Sequence, residues 1–321
     1  MTKIEWTHRP GTTGVTWNPV TGCTKTSAGC VNCYASRMSK RLAGRCGYPE
    51  APHQFDVTLH PDKLLQPIRW KKPRTVFVVS MGDLFHEDVP SSFICEMWQV
   101  MRECRRHTFM ILTKRAARMR DVVKKYIADP EWGLTPLPNV WLGVTAENQE
   151  MADKRIPMLL QIPAAVRFAS VEPMLGPVDL ERYIVSCNDC GNQGSTGYIT
   201  RYDDQLCRAC SKGEEGPALD WVICGGESGP GARPMHPDWV RGLRDQCEES
   251  EIPFFFKQWG AWFPRSQWEH NPELVLPDDD ECEEGGVNLY LADDISHRVG
   301  KHAAGRLLDG REWNEWPEVA R

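Results

Sequence analysis

Two groups of cysteines are spaced to do chemistry. The first is Trp17-Asn18-Pro19-Val20-Thr21-Gly22-Cys23, then six residues, then Cys30-Val31-Asn32-Cys33. Three thiolates in one loop suit a [4Fe-4S] cluster and leave its fourth iron open. The loop runs into a predicted helix, and a helix N-terminus favours thiolate charge; Cys30 and Cys33, three apart, can share a face of its opening turn. The same thiols could instead hold zinc with a distant fourth ligand such as His53 or His60, or could be merely buried. The second group is Cys187-x2-Cys190 and Cys207-x2-Cys210, separated by sixteen residues. That is the spacing of a zinc ribbon, in which tetrahedral Zn²⁺ takes all four sulfurs, with iron in a rubredoxin-like site as the rival. The polar stretch 191–197 between the pairs has little core of its own, so the metal would supply most of that segment's folding energy. The other six of the 13 cysteines, Cys46, Cys95, Cys104, Cys224, Cys247 and Cys282, are scattered and read as small buried hydrophobes.

Polar groups also recur at regular places along the chain. Met81-Gly82-Asp83, Lys114-Arg115, Ala146-Glu147-Asn148, Glu172-Pro173-Met174 and Gly226-Glu227-Ser228 each follow a short apolar, β-branched run. The runs lie at 14–17, 75–80, 108–113, 139–145, 166–171, 220–225 and 252–257. Several are apolar at every position, as strands covered on both faces are. Between them come helical patterns at 31–42, 91–105, 116–127 and 237–251, the last with Asp238 as a candidate cap. Strand alternating with helix predicts a parallel sheet in a full or partial (β/α) barrel, whose strand ends surround one mouth. The barrel is expected over 1–260, with the ribbon inserted at 183–216 and a C-terminal extension, 261–321, packing on it. In that extension the acidic stretch 278–284 reads as a solvated loop; Trp259 and Trp262, where the barrel pattern ends, are candidates to stack on bases near the mouth.

At 321 residues, with 41% hydrophobic and 26% charged side chains, the composition is that of a globular protein. No run approaches 18 apolar residues, which predicts no membrane span, and the first residues lack an apolar signal core, which predicts a cytoplasmic location. The net charge of −6 hides an asymmetry: residues 1–125 carry 21 Lys and Arg against 10 Asp and Glu, the rest 17 against 34. Solvated helix faces account for such charge, and so does a surface turned to nucleic acid.

The cysteine loop after the first strand resembles that of radical S-adenosylmethionine enzymes. Those usually carry C-x3-C-x2-C; here six residues separate the first two cysteines, and Asn32 stands where an aromatic commonly precedes the last. More closely, 17–23, 30–35, SMGDLFHE at 80–87, 112–115, SVEPML at 170–175, GGESG at 225–229 and the tail 300–313 resemble a phage and bacterial three-Cys-motif family of unknown function. That family is distantly similar to spore photoproduct lyase, a radical enzyme that repairs thymine lesions in DNA. The resemblance covers most of the chain and implies a barrel of that type, a [4Fe-4S] cluster on Cys23, Cys30 and Cys33, and S-adenosylmethionine chelated at the open iron.

It also implies roles position by position. Ser80, Met81, Gly82 and Asp83 end the second strand, where the methionine amino group is met. Thr145, Glu147 and Asn148 would face the ribose or carboxylate. Ser170 and Glu172, with Gly225, Gly226 and Glu227, would line the adenosine end, and Lys114 would meet a carboxylate or phosphate. The glycines equally suit tight turns, and Glu172 and Glu227 equally suit structural ion pairs. The expected activity is cleavage of S-adenosylmethionine to start radical chemistry on a nucleic acid, fed by a flavodoxin- or ferredoxin-like electron donor. The alternative is a non-catalytic zinc protein that binds nucleic acid, and a nuclease built on the strand-end carboxylates is a weaker third.

Overall fold

The computed structural model describes residues 2, 4–127, 136–184, 218–271, 274, 288–291 and 294–318. Cys187, Cys190, Cys207, Cys210 and Cys282, with the acidic stretch 278–284, lie outside the described residues, so the ribbon reading rests on spacing alone.

The first strand, β1 (Thr13–Trp17), is followed by short β2 (Val20–Thr21), which pairs antiparallel with β3 (Thr58–Leu59). The remaining strands of the main sheet are β4 (Arg74–Val78), β5 (Thr108–Thr113), β6 (Val140–Thr145), β7 (Val166–Val171), β8 (Trp221–Cys224) and β9 (Phe254–Phe256). Their order is β1-β4-β5-β6-β7-β8-β9, and β1 with β4, β4 with β5, β5 with β6 and β8 with β9 all run parallel. Order in the sheet thus follows order in the chain. A doubly wound sheet would reverse at a switch point. The class is mixed α/β, compatible with a partial (β/α) barrel. Each expected strand is found within two residues of its predicted ends, because wholly apolar runs have nowhere to go but a sheet covered on both faces. β6 and β8 are buried at every position.

The chain divides into two compact units, one of Met1–Thr145, Lys154–Ala169 and Glu318–Arg321, the other of Ala146–Asp153 and Ser170–Pro317. In the first, Val76, Val78, Phe109, Met110 and Ile111 form the core with Trp17, and Trp6 packs edge-on to Phe77 at 4.8 Å. Helix α1 (Tyr34–Leu42) buries only Ala35 and Ser39, whereas α2 (Ser91–Glu103) seats Phe93, Ile94, Met97, Trp98, Val100 and Met101. The helix expected over 116–127 is α3 (Ala116–Val122) followed by a single π turn, Val123–Ile127.

Helix α4 (Gln149–Leu160), which carries Pro157 inside it, is not among the helices predicted from the sequence; Asn148 starts it, its Oδ1 accepting from Met151 N at 3.0 Å.

In the second unit, α5 (Glu181–Ile184) is one turn, and α6 (Pro237–Glu249) buries Pro237, Val240, Leu243 and Cys247. Its cap is not Asp238: His236 Nδ1 accepts from Asp238 N at 3.2 Å, and Asp238 lies inside the first turn. Strands β10 (Trp262–Pro264), β11 (Asn288–Leu291) and β12 (Asp294–Arg298) make a small antiparallel sheet in the order β10-β12-β11, and α7 (Lys301–Ala304) follows. The tail then runs along β9: Phe256 N donates to Trp313 O at 3.0 Å and Glu315 N to Phe254 O at 3.3 Å. It covers the exposed edge of that strand with backbone partners.

Among the scattered cysteines, Cys104, Cys224 and Cys247 are buried as expected, but Cys46 is exposed and Cys95 half-buried. Trp259 does not stand open to stack on bases; it is core, with Nε1 donating to Leu307 O at 2.8 Å. Trp262 Nε1 donates to Ala232 O at 2.6 Å.

Candidate metal centre

The cysteine loop is pinned where two glycines meet. Gly22 has φ +84°, and a Cβ on it would stand 2.2 Å from Asp56 O. Its N donates to Met81 O at 3.0 Å, and a Cβ on Gly82 would stand 2.7 Å from Gly22 O. Only with both side chains absent can the strand leading to Cys23 cross the end of β4 at backbone distance. That gives Gly82 a packing reason for its identity. Asn18 adds a clamp: its Oδ1 accepts from Met81 N at 3.1 Å and from Ser80 Oγ at 3.2 Å. Tyr34, next to Cys33, donates its hydroxyl to Ser80 O at 3.1 Å.

The cysteines occupy different local settings. Cys30 ends a 3₁₀ turn, Ala28–Cys30, and Cys33 is the residue before α1, so the two do not share the helix's opening turn as the spacing suggests. All three thiols are half-buried. At Cys23, burial and the Asp83 carboxylate push the thiol up to about 11, against the pull of Arg115. At Cys30, burial also raises the thiol, but hydrogen bonds from Thr26 and Ser27 together with the Lys114 charge outweigh it and hold it below its ordinary value. The charge of Cys30 is also felt at Cys23 and raises it slightly further.

Behind Cys23 lies a network whose partners are far apart in the chain. Arg115, buried, donates from Nη1 to Cys23 Sγ at 3.3 Å and to Asp83 Oδ2 at 3.4 Å. Its Nη2 donates to Thr24 O at 3.2 Å and to Thr24 Oγ1 at 2.8 Å, and its Nε to the two oxygens of Glu87 at 3.1 and 3.3 Å. Asp83 accepts from Phe85 N, Thr113 Oγ1, Lys114 N and Arg115, so its carboxylate is taken up by the protein's own donors. His86 is buried, and burial followed by the Arg115 charge holds its imidazole below the ordinary value. Its Nδ1 accepts from Asp88 N at 3.2 Å, so the neutral ring carries its proton on Nε2 and donates it to Thr24 Oγ1 at 2.9 Å. A signal was present: Asp83, His86 and Glu87 all lie in SMGDLFHE, and Arg115 adjoins Lys114.

Of the other expected residues in this unit, Lys114 reaches Thr145, Nζ to Oγ1 at 3.4 Å, and Thr145 O accepts from Arg155 at 2.8 Å. Cys23, Ser80, Met81, Gly82, Asp83 and Lys114 are thus joined through Arg115, Asn18 and the Gly22 crossing. His60 is turned to Thr21 at 2.8 Å and His53 to Asp56 at 2.7 Å. Among the described residues no three His, Cys, Asp or Glu side chains are gathered as a single-ion site.

The expected residues of the second unit have partners of their own. Glu172 pairs with Lys257 at 2.5 Å, and Glu227 takes Arg233 in a fork, Nε to Oε2 at 2.9 Å and Nη2 to Oε1 at 2.7 Å. Both are ion pairs, the structural alternative for these carboxylates. Glu147 is fully buried, its O accepting from Leu175 N, and Ser170 O accepts from Ala146 N. Gly225 N donates to Val171 O; at Gly226 a Cβ would stand 1.8 Å from Trp259 O, so that glycine is required by close backbone approach. Asn148 is spent as the α4 cap.

A four-iron cluster takes one thiolate per iron, so the three thiols of this loop would hold three irons and leave the fourth open, with the Arg115 and Lys114 cations beside them to offset the added negative charge. The profile of DUF5131, a protein family of unknown function, matches residues 1–317. No curated protein and no solved structure matches the chain.

Proposed function

The chain belongs to the DUF5131 family, and from its cysteine loop we propose that it is a radical S-adenosylmethionine enzyme. Cys23, Cys30 and Cys33 would be the ligands of a [4Fe-4S] cluster, on a partial barrel of that type. One observation carries the reading: three half-buried thiols lie in a loop locked by the Gly22 and Gly82 crossing, with Arg115 on Cys23 and the Lys114 charge felt at Cys30. Together with S-adenosylmethionine, such a cluster supplies one-electron cleavage of the sulfonium and hence a 5′-deoxyadenosyl radical that abstracts hydrogen from substrate.

The chain's own residues divide the supporting work. Cys30 gives up its proton below the ordinary thiol value, and Cys23 only above it, held back by burial and Asp83. Lys114, held by its backbone to Asp83 and by Nζ to Thr145, offers a fixed cation for a carboxylate. The clamp of Asn18 and Tyr34 keeps the backbone at 80–81 rigid. Substrate is read as nucleic acid, from the positive charge of residues 1–125. Cys187, Cys190, Cys207 and Cys210 are read as a structural zinc ribbon, and the reductant as a flavodoxin- or ferredoxin-like protein.

The test is made on anaerobically reconstituted protein. Iron and sulfide near four per chain, zinc near one, and 5′-deoxyadenosine after dithionite and S-adenosylmethionine are expected, the last lost in Cys30→Ala. Zinc without iron, and no deoxyadenosine, would move the reading to a zinc protein that binds nucleic acid.

A further inference from the structure

We propose that Arg115 is the positioning residue that sets the potential at which a cluster on Cys23 accepts its electron. The inference rests on the reading of Cys23 as a cluster ligand. Its ground is geometric. A guanidinium stays charged at any working pH and presents donors in a fixed fork. Here Nη1 meets Cys23 Sγ, and Nε and Nη2 are held by Glu87 and Thr24, so each nitrogen has a partner and the fork cannot turn away. Thr24 is steadied in turn by His86. Only 8% of Arg115 is exposed, so its charge is little screened by water.

Reduction adds one electron, drawn from a low-potential donor, and moves no proton; the site becomes one charge more negative. A buried cation and a hydrogen bond on the ligand sulfur both stabilise that added charge and raise the potential. Asp83 and Glu87 oppose it. Asp83 is tied to the backbone of Phe85 and Lys114, while the Glu87 side chain is 66% exposed and contributes through Arg115. Glu87 is therefore a handle that can be altered without opening the core.

The experiment is a mediated dithionite titration of the reconstituted 321-residue protein, followed by the electron paramagnetic resonance signal of the reduced cluster. Arg115→Gln should leave about tenfold less cluster reduced at a fixed potential, a fall of about 59 mV for a one-electron couple. Glu87→Gln should move the other way by a smaller amount, since it removes a negative charge. A merely structural role for Arg115 would not give shifts of opposite sign. Equal potentials for wild type and both variants, each with full iron, would overturn the proposal. If Arg115→Gln fails to retain its cluster, Arg115→Lys, which keeps the charge but not the hydrogen-bonding fork on Cys23 Sγ, decides: a lowered potential with full iron supports the proposal and an unmoved one overturns it. A wild-type chain that binds no iron and sulfide would overturn the reading of the loop itself, and iron analysis distinguishes that failure from this one.

Discussion

At Cys23 and Cys30 two thiols of one loop are tuned in opposite directions. Burial and Asp83 hold the Cys23 proton, while Thr26, Ser27 and Lys114 loosen that of Cys30. Metal binding needs thiolates. In metal-free protein, Cys30 should be alkylated by iodoacetamide at a lower pH than Cys23, which with its value raised to about 11 stays a thiol at pH 8. Mass spectrometry of the two peptides across a pH series reads this directly, and equal profiles would show that the surroundings do not distinguish them. Assembly of the proposed cluster should accordingly quicken as pH rises, because Cys23 is the later of the two to deprotonate. The residue types and spacing at 23, 30 and 33 are what suggest metal chemistry. That Arg115, twenty-eight positions beyond Glu87 in the chain, would be the group on Cys23 was legible only as a cation at a strand end.

At the scale of elements, the tail and α6 are stapled by one carboxylate. Asp309 accepts from Arg241 at 2.8 Å, Arg244 at 2.7 Å and Gln267 at 2.8 Å. Burial alone would raise its carboxyl, but those three donors hold it well below the usual carboxylate range. The sign follows: a depressed folded value contributes stability at neutral pH that is lost as pH falls below about 4, the unfolded value. Asp309→Asn should cost about 2 kcal/mol at pH 7, in line with hydrogen bonds to charged groups, and lessen the loss of stability on acidification. Urea denaturation of both proteins at pH 7 and pH 3 measures it; an unchanged acid slope would mean the cluster holds nothing. The staple could not be read from 300–313, where apolar anchors and turn residues predict packing but name no partner.

For the whole molecule, charge is the property that composition states most plainly. If residues 1–125 face nucleic acid, binding should release counterions in proportion to the phosphates engaged. With four or more contacts, affinity should fall about a hundredfold between about 50 and 200 mM salt. Fluorescence anisotropy with a labelled duplex and a labelled single strand tests this, and salt-independent or absent binding would point to a small-molecule substrate. Among the described residues no helix is long and apolar enough to cross a membrane. The sequence by itself determined the strands, because runs such as Val76-Phe77-Val78-Val79 are apolar at every position, and the thiol spacing on which the proposed chemistry rests, because that spacing is local. Tertiary structure decided what local patterns cannot carry. It set the close crossing that demands Gly22 and Gly82, and the assignment of Glu172 and Glu227 to ion pairs. It also placed Arg115 on Cys23, since each of these depends on groups far apart in the chain that only packing brings to hydrogen-bond distance.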